Sequence, residues 1–160
     1  MADYNILPDV TSDEGEGDDL PMLRAKFLSH DILIFGGPVW LGQASSIGKR
    51  VLERIDASLS KIDEQGRMPS FGSVAVAAIA GNEDGAHASS AQLFQALNDI
   101  GRTIPALAAC YWVGEAMGSE DFKEFDKTLG KVGETAALVT GNAPHLAQSL
   151  KRAPYLGSGG

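Results

Sequence analysis

Two short runs, Ile32 to Phe35 and Ser73 to Ala80, are almost wholly apolar, and each breaks at glycines before an amphipathic stretch begins. A strand that is apolar at every position, rather than at alternate ones, is covered on both faces, as in a parallel sheet between helix layers. The helices carry the complementary pattern. From Ala44 to Ser60, Ile47, Val51, Ile55 and Leu59 recur every four residues, while Lys49, Arg50, Glu53, Arg54 and Asp56 occupy the other, solvated faces. A second helix is expected from about Ala86 to Ile100, with Leu93, Phe94, Leu97 and Ile100 inward and a stop at Gly101. Thr103 to Trp112 supplies a third strand. A last helix runs from about Leu129 to Leu150, weakened by Gly130, Gly133, Gly141 and Pro144. Repeated strand–loop–helix units imply a parallel α/β sheet with right-handed crossovers.

Such a fold holds small ligands in the loops that leave the C-terminal ends of its strands. Three loops qualify. Pro38, Val39, Trp40, Leu41 and Gly42 follow the first strand, and Gly81, Asn82, Glu83, Asp84, Gly85 and His87 follow the second. Tyr111, Trp112 and Gly114 open the stretch to Met117 after the third. Small residues, two indoles and few charges describe a flat, aromatic, uncharged ligand surface.

Composition bounds the rest. A length of 160 residues suits one domain with a proper core. The chain divides into an acidic lead-in (1–18), one domain (19–152) and a flexible tail (153–160). The lead-in has six acidic residues between Asp9 and Asp19, in a spacing that does not match a calcium loop, and it reads as solvated. Asp18 or Asp19 then caps a short helix with Pro21 in its first turn. A net charge of −8 argues against nucleic acid as a partner. Cys110 is the only cysteine, so no internal disulfide is expected; it reads as a buried thiol, and no metal site is expected. No apolar segment approaches the roughly 18 residues of a membrane span, and the expectation is a cytoplasmic protein.

Taken together, Pro38-Val39-Trp40-Leu41-Gly42-Gln43 with the following Ser-Ser, Gly81-Asn82-Glu83-Asp84-Gly85-Ala86-His87 and Tyr111-Trp112-Val113-Gly114-Glu115-Ala116-Met117 resemble the flavodoxin-like, NADPH-dependent FMN reductase family from about residue 30 to 150. The resemblance implies a three-layer flavodoxin-like fold in which these loops surround the isoalloxazine ring. Backbone N–H groups of Pro38 to Gly42 would face the flavin edge, with Trp40 as an aromatic wall. It implies FMN as cofactor, NAD(P)H as co-substrate, and a quinone or other small-molecule electron acceptor, with a homodimer as an open expectation. Hydride chemistry belongs to the flavin, so no catalytic side chain is assigned.

The sequence departs from the family pattern at its start. Nothing before Ile32 offers a Gly- or Ser/Thr-rich phosphate loop between an apolar strand and a helix. Thr11 to Gly17, the nearest candidate, is acidic and would repel a phosphate. The sheet is therefore expected to be incomplete, with the strand at Ile32 at an open edge. Two other readings stay beside the reductase: a flavodoxin-type electron carrier, and a truncated, non-catalytic interaction module. Asp84 reads equally as a helix N-cap, Tyr111 and Trp112 equally as core, and Glu115 as a local hydrogen-bonding group. Arg50 and Arg54 read as solvated.

Overall fold

In the computed structural model, residues 3–115, 118–127 and 129–158 are described. Ala116 and Met117 of the third loop, Met1 and Ala2, and Gly159 and Gly160 of the tail lie outside them. The elements in order are α1 (Leu20–Leu28), β1 (Ile32–Trp40), β2 (Gln43–Ala44), α2 (Ser46–Ile55), β3 (Val74–Gly81), α3 (Ala86–Asp99), β4 (Ala109–Val113) and α4 (Gly130–Arg152). The sheet order is β2-β1-β3-β4. β1 and β3 run parallel with Ile32 opposite Val74 and Pro38 opposite Ala80. β4 is parallel to β3, while the two-residue β2 folds back antiparallel on the end of β1.

Each face of the sheet has its own core. Ala75, Ala77 and Ile79 of β3 pack with Ile55 of α2 and with Leu93 and Leu97 of α3. Val74 and Val76 point the other way, onto Val139, Ala143, Ala147 and Leu150 of α4. The three-layer flavodoxin-like α/β architecture expected from the sequence is present. α4 reaches over β3 and β4 and meets β1 only at its start, where Ile32 packs on the α4 core, so Ile34 is 65% exposed in mid-strand. No strand among the described residues pairs with the outer edge of β1 between Ile32 and Pro38.

Several expectations change in detail. β1 does not stop at Phe35 but continues through Gly36, Gly37 and Pro38 to Trp40. Proline lacks an N–H, so an edge strand, which needs donors on one side only, tolerates it. The third strand does not begin at Thr103, which makes only an isolated bridge to Val74. Pro105 and a turn at Leu107 (φ +55°) hold residues 104–108 out of the ladder, and β4 starts at Ala109. α2 ends at Ile55 and passes into a 3₁₀ turn, which leaves Leu59 exposed instead of inward; Ile47, in the first turn of α2, is exposed as well. α4 runs unbroken through Gly141 and Pro144.

The largest departure concerns the acidic lead-in and Arg54. Arg54 is not solvated. Its guanidinium and the Asp18 carboxylate have no exposed side-chain area and meet through Nη2–Oδ2 at 2.6 Å and Nη1–Oδ1 at 3.2 Å. The remaining donors go to the carbonyls of Leu7 (2.6 Å) and Thr11 (3.2 Å). The lead-in is thus a strap wound around one arginine of α2. Asp18 accepts backbone N–H bonds from Glu14 and Leu20 as well, and the Arg54 guanidinium holds its carboxyl well below the usual carboxylate range. Asp19 is the N-cap residue of α1, but its carboxylate accepts from the Asn5 N–H (2.8 Å) rather than from the helix.

Candidate functional site

The register of the sheet sets the ends of its three parallel strands side by side. Pro38 lies opposite Ala80, and Gly81 opposite Val113; beyond the ladder the Gly114 N–H still donates to the Gly81 carbonyl at 2.9 Å. The three loops singled out by sequence therefore meet at one rim. Leu41 (φ +51°) and Gly42 (φ +73°) form the two-residue hairpin turn between β1 and β2. Positive φ at both positions is the turn that matches strand twist. The Leu41 N–H donates to Glu83 Oε1 at 2.7 Å, tying the first loop to the second. That donor is engaged within the protein, Pro38 has none, and Val39 and Trp40 pair with β2, so fewer amides of this loop face outward than the resemblance implies.

Gly85 makes the tightest contact of the rim. Its φ is +138°, and a Cβ there would lie 2.6 Å from both Cα and C of Gly42. Only glycine combines that conformation with that approach. Gly85, not Asp84, is the N-cap residue of α3; Asp84 instead accepts the Gly85 N–H at 2.7 Å. In the first turn of α3, His87 Nε2 is 3.0 Å from the Tyr111 hydroxyl, with the rings edge to face at 5.2 Å.

The two indoles part company. Trp40 is 56% exposed and follows Pro38 on the same face of β1. Trp112 is buried, its ring packed on Phe122 and Phe125 with centroids 5.6 and 5.7 Å away. Between β1 and this aromatic cluster lies an apolar cleft of about 330 Å³, bounded by Pro38, Ala78, Ala80, Cys110, Trp112 and Phe122. Burial pushes the Cys110 thiol pKa up, and its Sγ lies 3.5 Å from the Val132 carbonyl. Asn82 backs onto Gly114, and Glu115 is exposed.

Sequence reasoning found the rim and missed the floor. Ala78 and Ala80 read as helix-packing residues, yet Ala78 is exposed and Ala80 only half-buried, and among the described residues α4 reaches their cleft only at Val132. Phe122 lies in a polar, acidic segment without periodicity, and nothing local announces its contact with Trp112. No group of three or more His, Cys, Asp or Glu side chains among the described residues is placed to hold a metal, and no helix there is long and apolar enough to cross a membrane.

Comparison with known proteins bears on the family and the fold. The family model described as NADPH-dependent FMN reductase matches residues 1–118; it therefore includes the strap and stops short of α4. A divalent metal cation transporter MntH of Mycobacterium bovis is 35% identical over 154 residues, 93% of this chain but 22% of that protein. The 8-demethyl-8-aminoriboflavin-5'-phosphate synthase of Streptomyces davaonensis is 28% identical over 144 residues, covering 86% of this chain and 54% of the synthase. A crystal structure of RosB with bound 8-demethyl-8-formylriboflavin-5'-phosphate superposes with a TM-score of 0.80 at 27% identity, over 87% of this chain and 56% of RosB. The chain spans about half the length of these flavin-related proteins and less of the transporter.

Proposed function

The chain belongs to the NADPH-dependent FMN reductase family, and on that premise we propose that its strand-end rim and apolar cleft hold the ring of FMN in an oxidoreductase. The supporting observation is that the three loops meet at one rim and that an apolar cleft of about 330 Å³ opens beside it, lined by Pro38 of the first and Tyr111 and Trp112 of the third, with Trp40 exposed on the same face of β1 as Pro38. That volume lies in the range of small-molecule sites, about 300–1,000 Å³, and its walls are apolar, as a planar ring requires. Pro38 and Ala80 would contact the ring, Trp40 would cover it, and the Gly81–Gly85 loop would close on it. The residues fit the ring better than the phosphate. Among the described residues no strand, and so no strand-to-helix phosphate loop, precedes β1.

Bound FMN supplies the hydride chemistry. The protein's share is to bind and orient the ring, exclude water through the Trp112–Phe122 floor, and leave one ring face open to the nicotinamide and then to an acceptor such as a quinone. In this reading residues 19–152 form the flavin domain, 1–18 the strap, and 153–160 the tail.

Titrating FMN with the protein should quench flavin fluorescence. Trp40→Ala is expected to weaken binding about tenfold and Trp40→Phe much less, in line with about 0.5–1.5 kcal/mol for an aromatic stacking contact. Steady-state oxidation of NADH and NADPH with a quinone then measures turnover. The net charge of −8 favours one other reading, an electron carrier steered to a basic protein partner. Flavin binding with negligible nicotinamide turnover would select it. No flavin binding, together with self-association through the open edge of β1, would replace both by an interaction module.

A further inference from the structure

One side of β1 is used by no other strand among the described residues between Ile32 and Pro38. In a strand, the backbone N–H and C=O of successive residues point to opposite sides. The Val74 N–H donates to the Asp31 carbonyl, so Asp31 and, by alternation, Leu33, Phe35 and Gly37 serve β3. Ile32, Ile34, Gly36 and Pro38 therefore turn their backbone groups outward. Trp40 follows the same alternation and pairs with Gln43 of β2.

Edge strands ordinarily carry protection in the form of charges, bulges or a covering element. β1 carries little. Ile32 to Trp40 include no charged side chain, and the pairing with β3 runs unbroken from Ile32 to Pro38. Ile34, in the middle of the free run, is 65% exposed. Asp31, just before the strand, is already neutralised by Lys151 at 2.6 Å, so no unpaired charge at that end repels a like neighbour. The other edge strand, β4, is five residues long, and Phe122 and Phe125 pack on its Trp112.

Unused donors and acceptors in this spacing call for another strand, and they are electrostatically complementary to themselves. We propose that two copies of this chain join β1 to β1, antiparallel, about a two-fold axis at Ile34. Ile34 then exchanges N–H···O bonds with Ile34 of the second copy, and Ile32 does so with Gly36. Each outward donor meets an outward carbonyl, and Pro38, which has no N–H, falls just beyond the ladder. Sliding the register one step puts Ile32 opposite Pro38, whose ring cannot donate to the Ile32 carbonyl. Sliding it the other way leaves Gly36 with no strand residue opposite. The two Ile34 side chains meet across the axis, with Cβ atoms about 5 Å apart. Such isologous pairing consumes both β1 edges and closes. The strands run antiparallel, so the two loop rims lie at opposite ends of the joined sheet and neither completes the other. The inference needs no flavin and is independent of the flavin reading.

Sedimentation velocity of the full chain over a dilution series should show a reversible monomer–dimer equilibrium, since the interface is small for a permanent dimer. Amide hydrogen exchange, read by NMR on the same series, identifies the surface. The Ile32, Ile34 and Gly36 amides should exchange slowly in the dimer and freely in the monomer, while those of Leu33 and Phe35, bonded to β3, stay slow in both. Ile34→Lys sets like charges opposite each other at an exposed position and should weaken the dimer about tenfold or more. Slow Leu33 and Phe35 amides in that variant report that its sheet is intact. Leu107→Lys, at a comparably exposed position before β4, should leave the dimer unchanged. The proposal is overturned by a chain that stays monomeric, by a dimer whose Ile32, Ile34 and Gly36 amides exchange freely, or by slow exchange of these amides in the monomer. Growth into open polymers, or equal effects of the two substitutions, would overturn it as well.

Discussion

Asp18→Asn is expected to cost about 3–5 kcal/mol of folding stability, the scale for removing one partner of a fully buried ion pair. Arg54 would keep its two carbonyl acceptors, Leu7 and Thr11, but lose the charge that compensates it. At this chain length the melting midpoint should fall by roughly 10 °C. Urea unfolding of both proteins at neutral pH measures the difference directly. The pH dependence has a definite sign. Asp18 titrates near 3.8 when unfolded and well below that when folded, so its contribution is complete above the unfolded value. It is lost as pH falls through the folded value. The gap between wild type and Asp18→Asn should therefore be constant from neutral pH to about 5 and close progressively in stronger acid. A small, pH-independent gap would mean that the strap contributes little to stability.

Gly85→Ala should separate structure from ligand binding. The new methyl would meet the Gly42 backbone at 2.6 Å, and neither side of that contact is a flexible side chain. The φ of +138° adds strain, about 1–3 kcal/mol for a residue held in such a region. The hairpin turn and the α3 loop must then move apart, opening the rim. On the flavin reading, FMN affinity should fall at least tenfold even where circular dichroism shows the protein folded. Gly130→Ala, where a methyl group enters open space, provides the control and should leave FMN affinity unchanged. Unaltered binding in Gly85→Ala would place the flavin away from this rim.

The elements that periodicity could see were legible in the sequence. β3 and α3 fall within a residue of expectation, because Val74 to Ile79 and Leu93, Leu97 and Ile100 are patterned by the packing that buries them. Gly36, Gly37 and Pro38 look like the end of a strand because glycine and proline usually interrupt one; the open edge of β1, a tertiary fact, removes the penalty. The beginning of β4 is illegible for the converse reason. Thr103 and Ile104 look like strand residues, but Pro105 and the positive φ at Leu107 decide their geometry. Of the candidate site, the three loops could be read locally, since each carries its own glycines. The floor could not. Phe122 reaches Trp112 only after the chain after β4 folds back, and Ala78 faces the cleft because α4 borders that space only at Val132. Arg54 was hidden for a related reason: its partner lies 36 residues earlier, in a segment whose charge alone suggested solvent.

The strap has a consequence for limited proteolysis. Arg54 grips the chain on both sides of the Gly15–Gly17 turn, through Leu7 and Thr11 before it and Asp18 after it. A single cut in that turn would leave two pieces still pinned to the same side chain, so a nicked molecule should migrate as two fragments only after denaturation.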